Sequence, residues 1–357
     1  MAKRSRPCKS MLKTTKQLFR IQQNLANKAA KQLPQQLKAA NILLTKPDPQ
    51  KRGDWRKHVF IAPLFNQERL VQRLDYYVFT PSPTLRNPHT KGMPLVVMLH
   101  GCHQDAALFA QGTQMNVLAQ RNGFVVLYPQ QSRQHHIGNC WRWHELNDKA
   151  ALAEAHSILK IIHSTLLMHQ LDPGKVFICG LSAGAAMAGI LAANFPAQFA
   201  AVAMHSGPVL GRARNSTSAF KVMLDDQTDD APALLNYMRP FAAPKRHQMP
   251  AIIIQGAADK VVHPRNAEDL LKQFLYLNAM PTNNLGSGQS YYQGSKQQYE
   301  QRIYRDGHKR MLELILVKHL DHAWAGGDDR LPFNSKTGPN SAQLIWQFFK
   351  RHLSRQG

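Results

Sequence analysis

Lys175-Val176-Phe177-Ile178-Cys179-Gly180-Leu181-Ser182-Ala183-Gly184 joins an apolar run to a run of small residues, and this junction decides the fold. The residues before Gly180 are continuously apolar, as expected of a strand buried on both faces. Small residues continue to Phe195, over a length typical of a helix. The junction fits G-x-S-x-G, in which the serine stands on a sharp strand-to-helix turn. Ser182 is therefore a candidate nucleophile.

Strands and helices alternate on both sides of this junction. Apolar runs that predict strands lie at 74–79, 95–99, 123–129, 175–179, 200–204 and 251–255, and helical spacing lies at 150–170 and 341–353. This alternation predicts the α/β class, with a mostly parallel central sheet and helices on both faces. Asp306-Gly307 separates two further apolar runs and predicts a hairpin. The polar segments 212–249 and 278–298 are expected to be an insertion and a loop.

The chain is strongly basic, and much of the charge lies near its N-terminus. The formal net charge is +23, and residues 1–57 hold fifteen lysines and arginines against two acidic residues. Apolar residues from Leu12 to Leu33 follow helical spacing, which predicts a basic amphipathic helix before Pro34. Such a helix suits an anionic surface or granule, but a solvated extension and a helix packed on the next domain are equally open. No specific nucleic acid is predicted as a partner.

The composition limits the remaining classes of protein. Hydrophobic residues make up 43% and charged residues 19%, as in soluble globular proteins. The cysteines include no CxxC pair, so the sequence predicts neither a disulfide scaffold nor a structural zinc site; they are Cys8, Cys102, Cys140 and Cys179. We find no apolar run long enough to span a membrane and no signal-peptide pattern. These features predict a cytoplasmic protein.

A serine nucleophile needs an aligned base, and on a sheet of this kind the acid and then the histidine follow it along the chain. Asp259 follows the apolar run 251–255, at the carboxyl end of a predicted strand, where sites in open α/β sheets assemble. An aspartate that only forms a turn is the alternative. The competing acids have no strand before them; they are Asp225, Asp226, Asp229 and Asp230.

His322 is the predicted base. It lies on a loop after the apolar run 311–317, close to Gly326-Gly327, which permits a tight approach of the backbone. His319 on the same loop is the nearest alternative. Two other histidines are expected to be structural, because neither occupies a late loop after a strand: His205 and His263.

An oxyanion needs two hydrogen-bond donors that are already in place. The backbone N–H of Ala183, directly after Ser182, is the first predicted donor. The second is the N–H of Cys102, on the loop that follows the strand at 95–99, where Gly101 allows close approach. An ordinary glycine turn at the end of a strand is the alternative for this loop.

The segment Asn139-Cys140-Trp141-Arg142-Trp143-His144 holds two tryptophans close together. An aromatic wall for a substrate acyl chain and ordinary core packing are equally open interpretations. On the first interpretation, the candidate substrate-binding residues are Trp141, Trp143 and Trp324. We also hypothesise that Cys102 and Cys140 lie near each other.

Together these motifs resemble the polyhydroxybutyrate-depolymerase-type esterase family of the α/β-hydrolase superfamily. The resemblance runs from about Leu74 to Leu353 and rests on several blocks: Leu99-His100-Gly101-Cys102, Asn139-Cys140-Trp141, Gly180-Leu181-Ser182-Ala183-Gly184, Asp259 with Val262, and His322-Ala323-Trp324 with Gly326-Gly327. It implies the α/β-hydrolase fold, a triad of Ser182, Asp259 and His322, and no metal or other cofactor. Ala185, Arg142 and His144 depart from the family pattern.

Three functions remain open on this basis. The resemblance implies hydrolysis of short-chain hydroxyalkanoate polyesters or their oligomers, but related branches resemble acetylxylan and feruloyl esterases. A binding protein on a hydrolase scaffold, anchored to a surface or granule by the basic N-terminus, is the alternative of another class. The expected organisation is a basic extension at 1–46, a connecting segment at 47–73 and a catalytic domain at 74–357. We expect a cytoplasmic, granule-associated protein, with an extracellular location as the alternative.

Overall fold

The computed structural model describes residues 53–64, 67–83, 89–132, 138–146, 149–224, 231–242 and 248–353. The basic helix predicted within residues 1–46 lies outside the described residues, and so do the four competing acids, Asp225, Asp226, Asp229 and Asp230. Within the described ranges, no helix combines the length and the apolar character that a membrane crossing requires.

One ten-stranded sheet forms the centre of the described part of the chain. Its strands are β1 (Gly53–Leu64), β2 (Gln67–Pro81), β3 (Leu95–Leu99), β4 (Val125–Pro129), β5 (Val176–Leu181), β6 (Ala201–His205), β7 (Ala251–Gly256), β8 (Ser287–Tyr291), β9 (Tyr299–Asp306) and β10 (Lys309–Val317). They lie in the order β1-β2-β4-β3-β5-β6-β7-β10-β9-β8. The strands from β4 to β10 in this order run parallel, and antiparallel pairs close both edges.

Helices cover both faces of this sheet, as the alternating pattern predicts. In the described residues they are α1 (Ala106–Thr113), α2 (Met115–Asn122), α3 (Ala150–His169), α4 (Ala183–Asn194), α5 (Ser216–Leu224), α6 (Ala231–Leu235), α7 (Arg265–Leu277) and α8 (Ser341–Lys350). Side chains of α3, α4 and α7 join one hydrophobic core. Side chains of α1, α2 and α8 join the other.

The parallel strands are buried on both sides, which explains why they are apolar at every position. In β3, Val97 belongs to one core and Val96 to the other, as the two-residue period of a strand requires. Helix α4 is buried from Ala183 to Ala193, so its small residues all pack against protein. A helix that is apolar all round belongs in the interior. The junction between β5 and α4 is therefore held in the centre of the fold.

Two segments differ from the sequence-based expectations. The expected domain boundary at residue 74 falls within β2, and β1 pairs with β2 over its whole length, so the described sheet includes strands from the segment expected to be a connection. The segment 278–298, expected to be a loop, contains β8, which pairs with β9 at the sheet edge. The hairpin predicted at Asp306-Gly307 is confirmed as β9 and β10.

Candidate active site

Three parallel strands bring Ser182, Asp259 and His322 to the same edge of the sheet. Ser182 follows β5 directly, Asp259 follows β7, and His322 follows β10. A backbone hydrogen bond joins the loop after β7 to the end of β10: the N–H of Ala257 donates to the O of Val317 over 2.9 Å. Carboxyl ends of parallel strands meet at one edge of a sheet, so residues far apart in sequence become neighbours.

The turn that carries Ser182 has an unusual backbone. Its φ is 57° and its ψ is −121°, a conformation that L-residues other than glycine adopt rarely. The flanking glycines are required by space: a Cβ on Gly180 would lie 2.1 Å from Gly184 O, and one on Gly184 would lie 2.2 Å from Leu99 O. Since these contacts are with backbone atoms, no side-chain movement could relieve them. The G-x-S-x-G spacing is therefore a packing requirement of this turn.

A hydrogen-bond chain joins the three side chains. His322 Nε2 lies 3.0 Å from Ser182 Oγ, and His322 Nδ1 lies 2.8 Å from Asp259 Oδ2. All three residues are at least nine-tenths buried. If Nδ1 carries the proton and donates it to the carboxylate, Nε2 is free to accept the hydroxyl proton of Ser182. This is the geometry that general-base activation of a serine requires.

Asp259 is held by more than its bond to His322. Its Oδ1 accepts hydrogen bonds from the N–H groups of Val261 and Val262, each at 2.9 Å, and its Oδ2 also accepts one from Gln255 Nε2 at 3.1 Å. Burial by itself would raise the pKa of Asp259, but His322 and the N–H groups of Val262 and Val261 outweigh it and hold the pKa below its usual range. The carboxylate is therefore ionised at neutral pH.

The rival histidines lie in different environments. His319 is exposed, whereas His322 is 8% exposed and in contact with both partners. His205 is fully buried and stacks on Trp324, with the ring centroids 5.0 Å apart. Burial, together with the neighbouring His322, lowers the pKa of His205 to about 3, so it stays neutral. His263 accepts a hydrogen bond from the N–H of Arg265 through its Nδ1, at 3.2 Å.

The loop after β3 lies against Ser182. A Cβ placed on Gly101 would lie 3.4 Å from the Cβ of Ser182. Neither the N–H of Cys102 nor that of Ala183 has an acceptor among the residues that the structure describes. Ala183 is the first residue of α4, where backbone N–H groups have no partner within the helix and the dipole favours negative charge. Ala183 directly follows Ser182, and Cys102 directly follows Gly101, so both predicted oxyanion donors belong to segments that adjoin Ser182.

A disulfide joins the two loops around this site. Cys102 and Cys140 are bonded, with their Cα atoms 4.3 Å apart. The hypothesis that these two cysteines lie near each other therefore agrees with the structure. Cys179, in contrast, is a free thiol buried in β5, and burial raises its pKa well above the usual range. In the described residues, no group of three or more His, Cys, Asp or Glu side chains is arranged to hold a metal ion.

The structure favours core packing for the three tryptophans that we considered as substrate contacts. Trp141, Trp143 and Trp324 are 2%, 4% and 1% exposed, so they present almost no surface to a ligand. The indole N–H of Trp141 donates to His100 O over 3.0 Å. Trp324 packs edge-on against Phe109, with the ring centroids 5.8 Å apart. We therefore withdraw their assignment to an acyl-binding wall.

No motif in the sequence points to the residues that hold the loop of the predicted oxyanion donor Cys102. The N–H of Gln131 donates to His100 Nε2 over 3.1 Å, and the carboxylate of Glu154 accepts hydrogen bonds from Gln131 Nε2 and the Arg142 N–H. Glutamate on a helix and glutamine after a strand are ordinary surface residues in a sequence. Only the folded chain shows that their side chains turn towards the segment at Cys140.

Comparison with known proteins finds relatives of this chain in sequence. Poly(3-hydroxyalkanoate) depolymerase C of Paucimonas lemoignei is 34% identical over 183 residues, which are 51% of this chain and 44% of that protein. Feruloyl esterase B of Thermothelomyces thermophilus is 29% identical over 212 residues, covering 56% of this chain and 69% of that protein. The chain thus matches less than half the length of the depolymerase.

The fold has a counterpart among solved structures. Acetyl xylan esterase from Aspergillus awamori superposes with a TM-score of 0.65 at 19% identity, over 83% of this chain and 99% of that one. This likeness supports the α/β-hydrolase fold. The family model described as "Esterase PHB depolymerase" matches residues 75–289, more than half of the sequence. The chain therefore belongs to the esterase PHB depolymerase family.

Proposed function

We propose that this protein is a serine carboxylic ester hydrolase that works through an acyl-enzyme. The observation that carries the proposal is the hydrogen-bond chain from Ser182 Oγ through His322 to Asp259. The N–H of Ala183, directly after Ser182, and the N–H of Cys102, next to Gly101, have no acceptor in the described structure and support the proposed oxyanion site. A nucleophile, a base, an orienting acid and an oxyanion site are the parts that acyl transfer needs.

The reaction follows from these positions. Ser182 Oγ attacks the ester carbonyl carbon while His322 Nε2 takes the hydroxyl proton, and the oxyanion accepts hydrogen bonds from Cys102 and Ala183. The intermediate collapses, His322 returns the proton to the leaving alcohol, and the acyl group stays on Ser182. A water molecule then loses a proton to His322 and attacks the acyl carbonyl. The bond to Ser182 Oγ breaks, His322 returns the proton to this oxygen, and the acid is released. The ionised Asp259 stabilises the imidazolium in both halves.

We further propose hydroxyalkanoate polyesters or their oligomers as the substrate. Membership of the esterase PHB depolymerase family and the similarity to a poly(3-hydroxyalkanoate) depolymerase support this class. Acetylated or feruloylated polysaccharide is the second candidate, because the chain also resembles a feruloyl esterase in sequence. Both classes contain carboxylic esters, so the same four groups around Ser182 serve either reaction.

A substrate panel distinguishes these candidates. We expect kcat/KM for 3-hydroxybutyrate oligomers to exceed that for acetylated xylan and for methyl ferulate, measured as release of 3-hydroxybutyrate, acetate and ferulate. The nucleophile variant Ser182→Ala is the control, since it must abolish all three. Higher kcat/KM for acetate or ferulate release would replace the polyester proposal while leaving the ester-hydrolase mechanism in place.

We also propose where the protein acts and what its basic N-terminus binds. The Cys102–Cys140 disulfide favours the extracellular alternative over the cytoplasmic one, because such bonds persist mainly in oxidising compartments. Attachment to a polyester granule through residues 1–46 stays a prediction. Comparing granule binding by the full chain and by a chain that lacks these residues tests it.

Removal of the disulfide is expected to weaken both folding and catalysis. The bond closes a loop across 38 residues, for which chain-entropy arguments give a stabilisation of about 4 kcal/mol. Because Cys102 also carries a predicted oxyanion donor, we expect the double variant Cys102→Ala/Cys140→Ala to lose about 10-fold in kcat as well. Urea unfolding and ester hydrolysis below the unfolding transition measure the two effects. Dithiothreitol should reproduce them in the wild type and leave the double variant unchanged; equal activity in all samples would contradict the role of the bond.

A further inference from the structure

Glu154 on α3 binds the main chain of the segment that faces the oxyanion loop. Its Oε2 accepts a hydrogen bond from the backbone N–H of Arg142 over 2.8 Å. Its Oε1 accepts one from Gln131 Nε2 over 2.6 Å, and the same amide nitrogen donates to Cys140 O over 3.1 Å. One carboxylate therefore holds the backbone on both sides of Trp141.

Three connections lead from this carboxylate to the residues beside Ser182. Cys140 is bonded through its sulfur to Cys102. The indole N–H of Trp141 donates to His100 O. The backbone N–H of Gln131 donates to His100 Nε2, so the other ring nitrogen carries the proton and donates to Gly101 O at 2.9 Å. All three end on the loop whose Cys102 N–H is a predicted oxyanion donor.

We propose that Glu154 is a positioning residue for the oxyanion hole, and that it acts only as a carboxylate. The proposal rests on the proposed esterase function, because it concerns the same site. Glu154 does not touch the substrate; it fixes the segment around Trp141, which in turn fixes the backbone from His100 to Cys102. Displacing an oxyanion donor by a fraction of an ångström weakens the bond to the transition state more than the bond to the substrate.

The charge is required because both partners of Glu154 are donors. Neither Arg142 N nor Gln131 Nε2 can accept a hydrogen bond in this arrangement, so a protonated carboxyl would place its hydroxyl against a donor. Burial raises the pKa of Glu154 to about 7, and the nearby Glu145 adds to this, whereas the Arg142 and Gln131 hydrogen bonds and the Arg142 charge lower it. Two other titratable groups are near Glu154. Asp75 on β2 and Glu154 line one small cavity, and His100 is hydrogen-bonded to the backbone of Gln131. Protonation therefore occurs close to neutral pH.

The variant Glu154→Gln tests this with a pH profile. A glutamine amide has the shape of the protonated acid, so at every pH the variant imitates the protonated form. We expect kcat to fall about 10- to 100-fold at pH 8.5 with KM changed less than twofold. Below pH 5.5 the wild type is itself protonated at Glu154, and the ratio of wild-type to variant kcat should approach 1. Active sites are counted with a fluorophosphonate, so that misfolded protein does not enter kcat.

Glu145→Gln is the matched control. Glu145 lies on the segment that contains Trp141 and accepts a hydrogen bond from the side-chain Nε of Arg142. Glu154, in contrast, accepts one from the backbone N–H of Arg142. We expect kcat of Glu145→Gln to stay within twofold of wild type at pH 8.5, with the pH profile shifted slightly to lower pH, because the Glu145 charge no longer raises the pKa of Glu154. A ratio of wild-type to Glu154→Gln kcat below twofold at pH 8.5, or one that is equally large at all pH values, would overturn the proposal.

A second variant covers the case in which Glu154→Gln does not fold. Gln131→Met removes the amide that links Glu154 to Cys140 O and keeps the backbone bond to His100. We expect a loss of about 3- to 10-fold in kcat per titrated site at pH 8.5, and unchanged kcat would contradict the proposal. A wild type that neither hydrolyses esters nor reacts with the fluorophosphonate would instead refute the proposed function, and the role of Glu154 with it.

Discussion

Replacing Ser182 with alanine is expected to lower kcat for p-nitrophenyl butyrate by about 10⁵-fold or more, the scale of triad deletions in serine hydrolases. The variant has no nucleophile to receive the acyl group, so only transition-state binding at the oxyanion donors remains. The fold should be unaffected, because the Ser182 side chain makes no capping hydrogen bond at the start of α4. Initial rates and a thermal unfolding curve measure the two outcomes.

Ser157→Ala is the control for this substitution. The Ser157 hydroxyl donates to Ala153 O within α3 and lies on no route to the site. We expect wild-type kcat from this variant. Retained turnover in Ser182→Ala would refute the nucleophile assignment, and loss of the folded state would show that the serine has a structural role that its contacts do not indicate.

The second large effect is expected for Asp259→Asn. The two backbone donors on Oδ1, from Val261 and Val262, should keep the amide oxygen on their side and turn the NH₂ group towards His322. His322 Nδ1 must then accept, which moves the ring proton to Nε2, where it faces Ser182. An imidazole in this tautomer cannot take the hydroxyl proton. We expect kcat to fall by about 10⁴-fold with little change in KM.

Asp259→Asn also removes a negative charge, so its control must remove a negative charge at a site away from His322. Asp172→Asn does so at the surface, where Asp172 pairs with Lys175 over 2.7 Å. We expect unchanged kcat from this control at pH 7 to 8. A drop of less than about tenfold in Asp259→Asn would mean that His322 keeps its productive tautomer without a carboxylate, and another acid would have to be sought.

The strands that carry the site could be predicted because burial on both faces leaves a continuous apolar signal. β3, β5 and β7 lie in the middle of the sheet, and each was visible in the sequence. The edge strands carry no such signal. β8 reads Ser-Gly-Gln-Ser-Tyr and is almost wholly exposed, so only its pairing with β9 defines it. β1 is another edge strand, with Ile61 63% exposed and charged residues at several other positions.

The turn at Ser182 could be predicted because its backbone demands particular residue types. The turn at Ser182 admits only glycine at positions 180 and 184, and this constraint can be recognised in the sequence as a motif. The hydrogen-bond partners of side chains cannot be recognised in this way. Nothing in the sequence indicates that the Trp141 indole donates a hydrogen bond to His100 O, or that Glu154 accepts one from the Arg142 backbone. Such contacts depend on the packing of segments that are distant in sequence, and they require coordinates.

The acyl-enzyme on Ser182 is the central claim, and covalent labelling tests it most directly. The protein is treated with a fluorophosphonate, its intact mass is measured, and the modified peptide is located after proteolysis. We expect one label per chain, on Ser182, with hydrolysis lost in proportion to labelling and no label on Ser182→Ala. Label on a different residue, or full hydrolysis by a chain labelled at Ser182, would contradict the account.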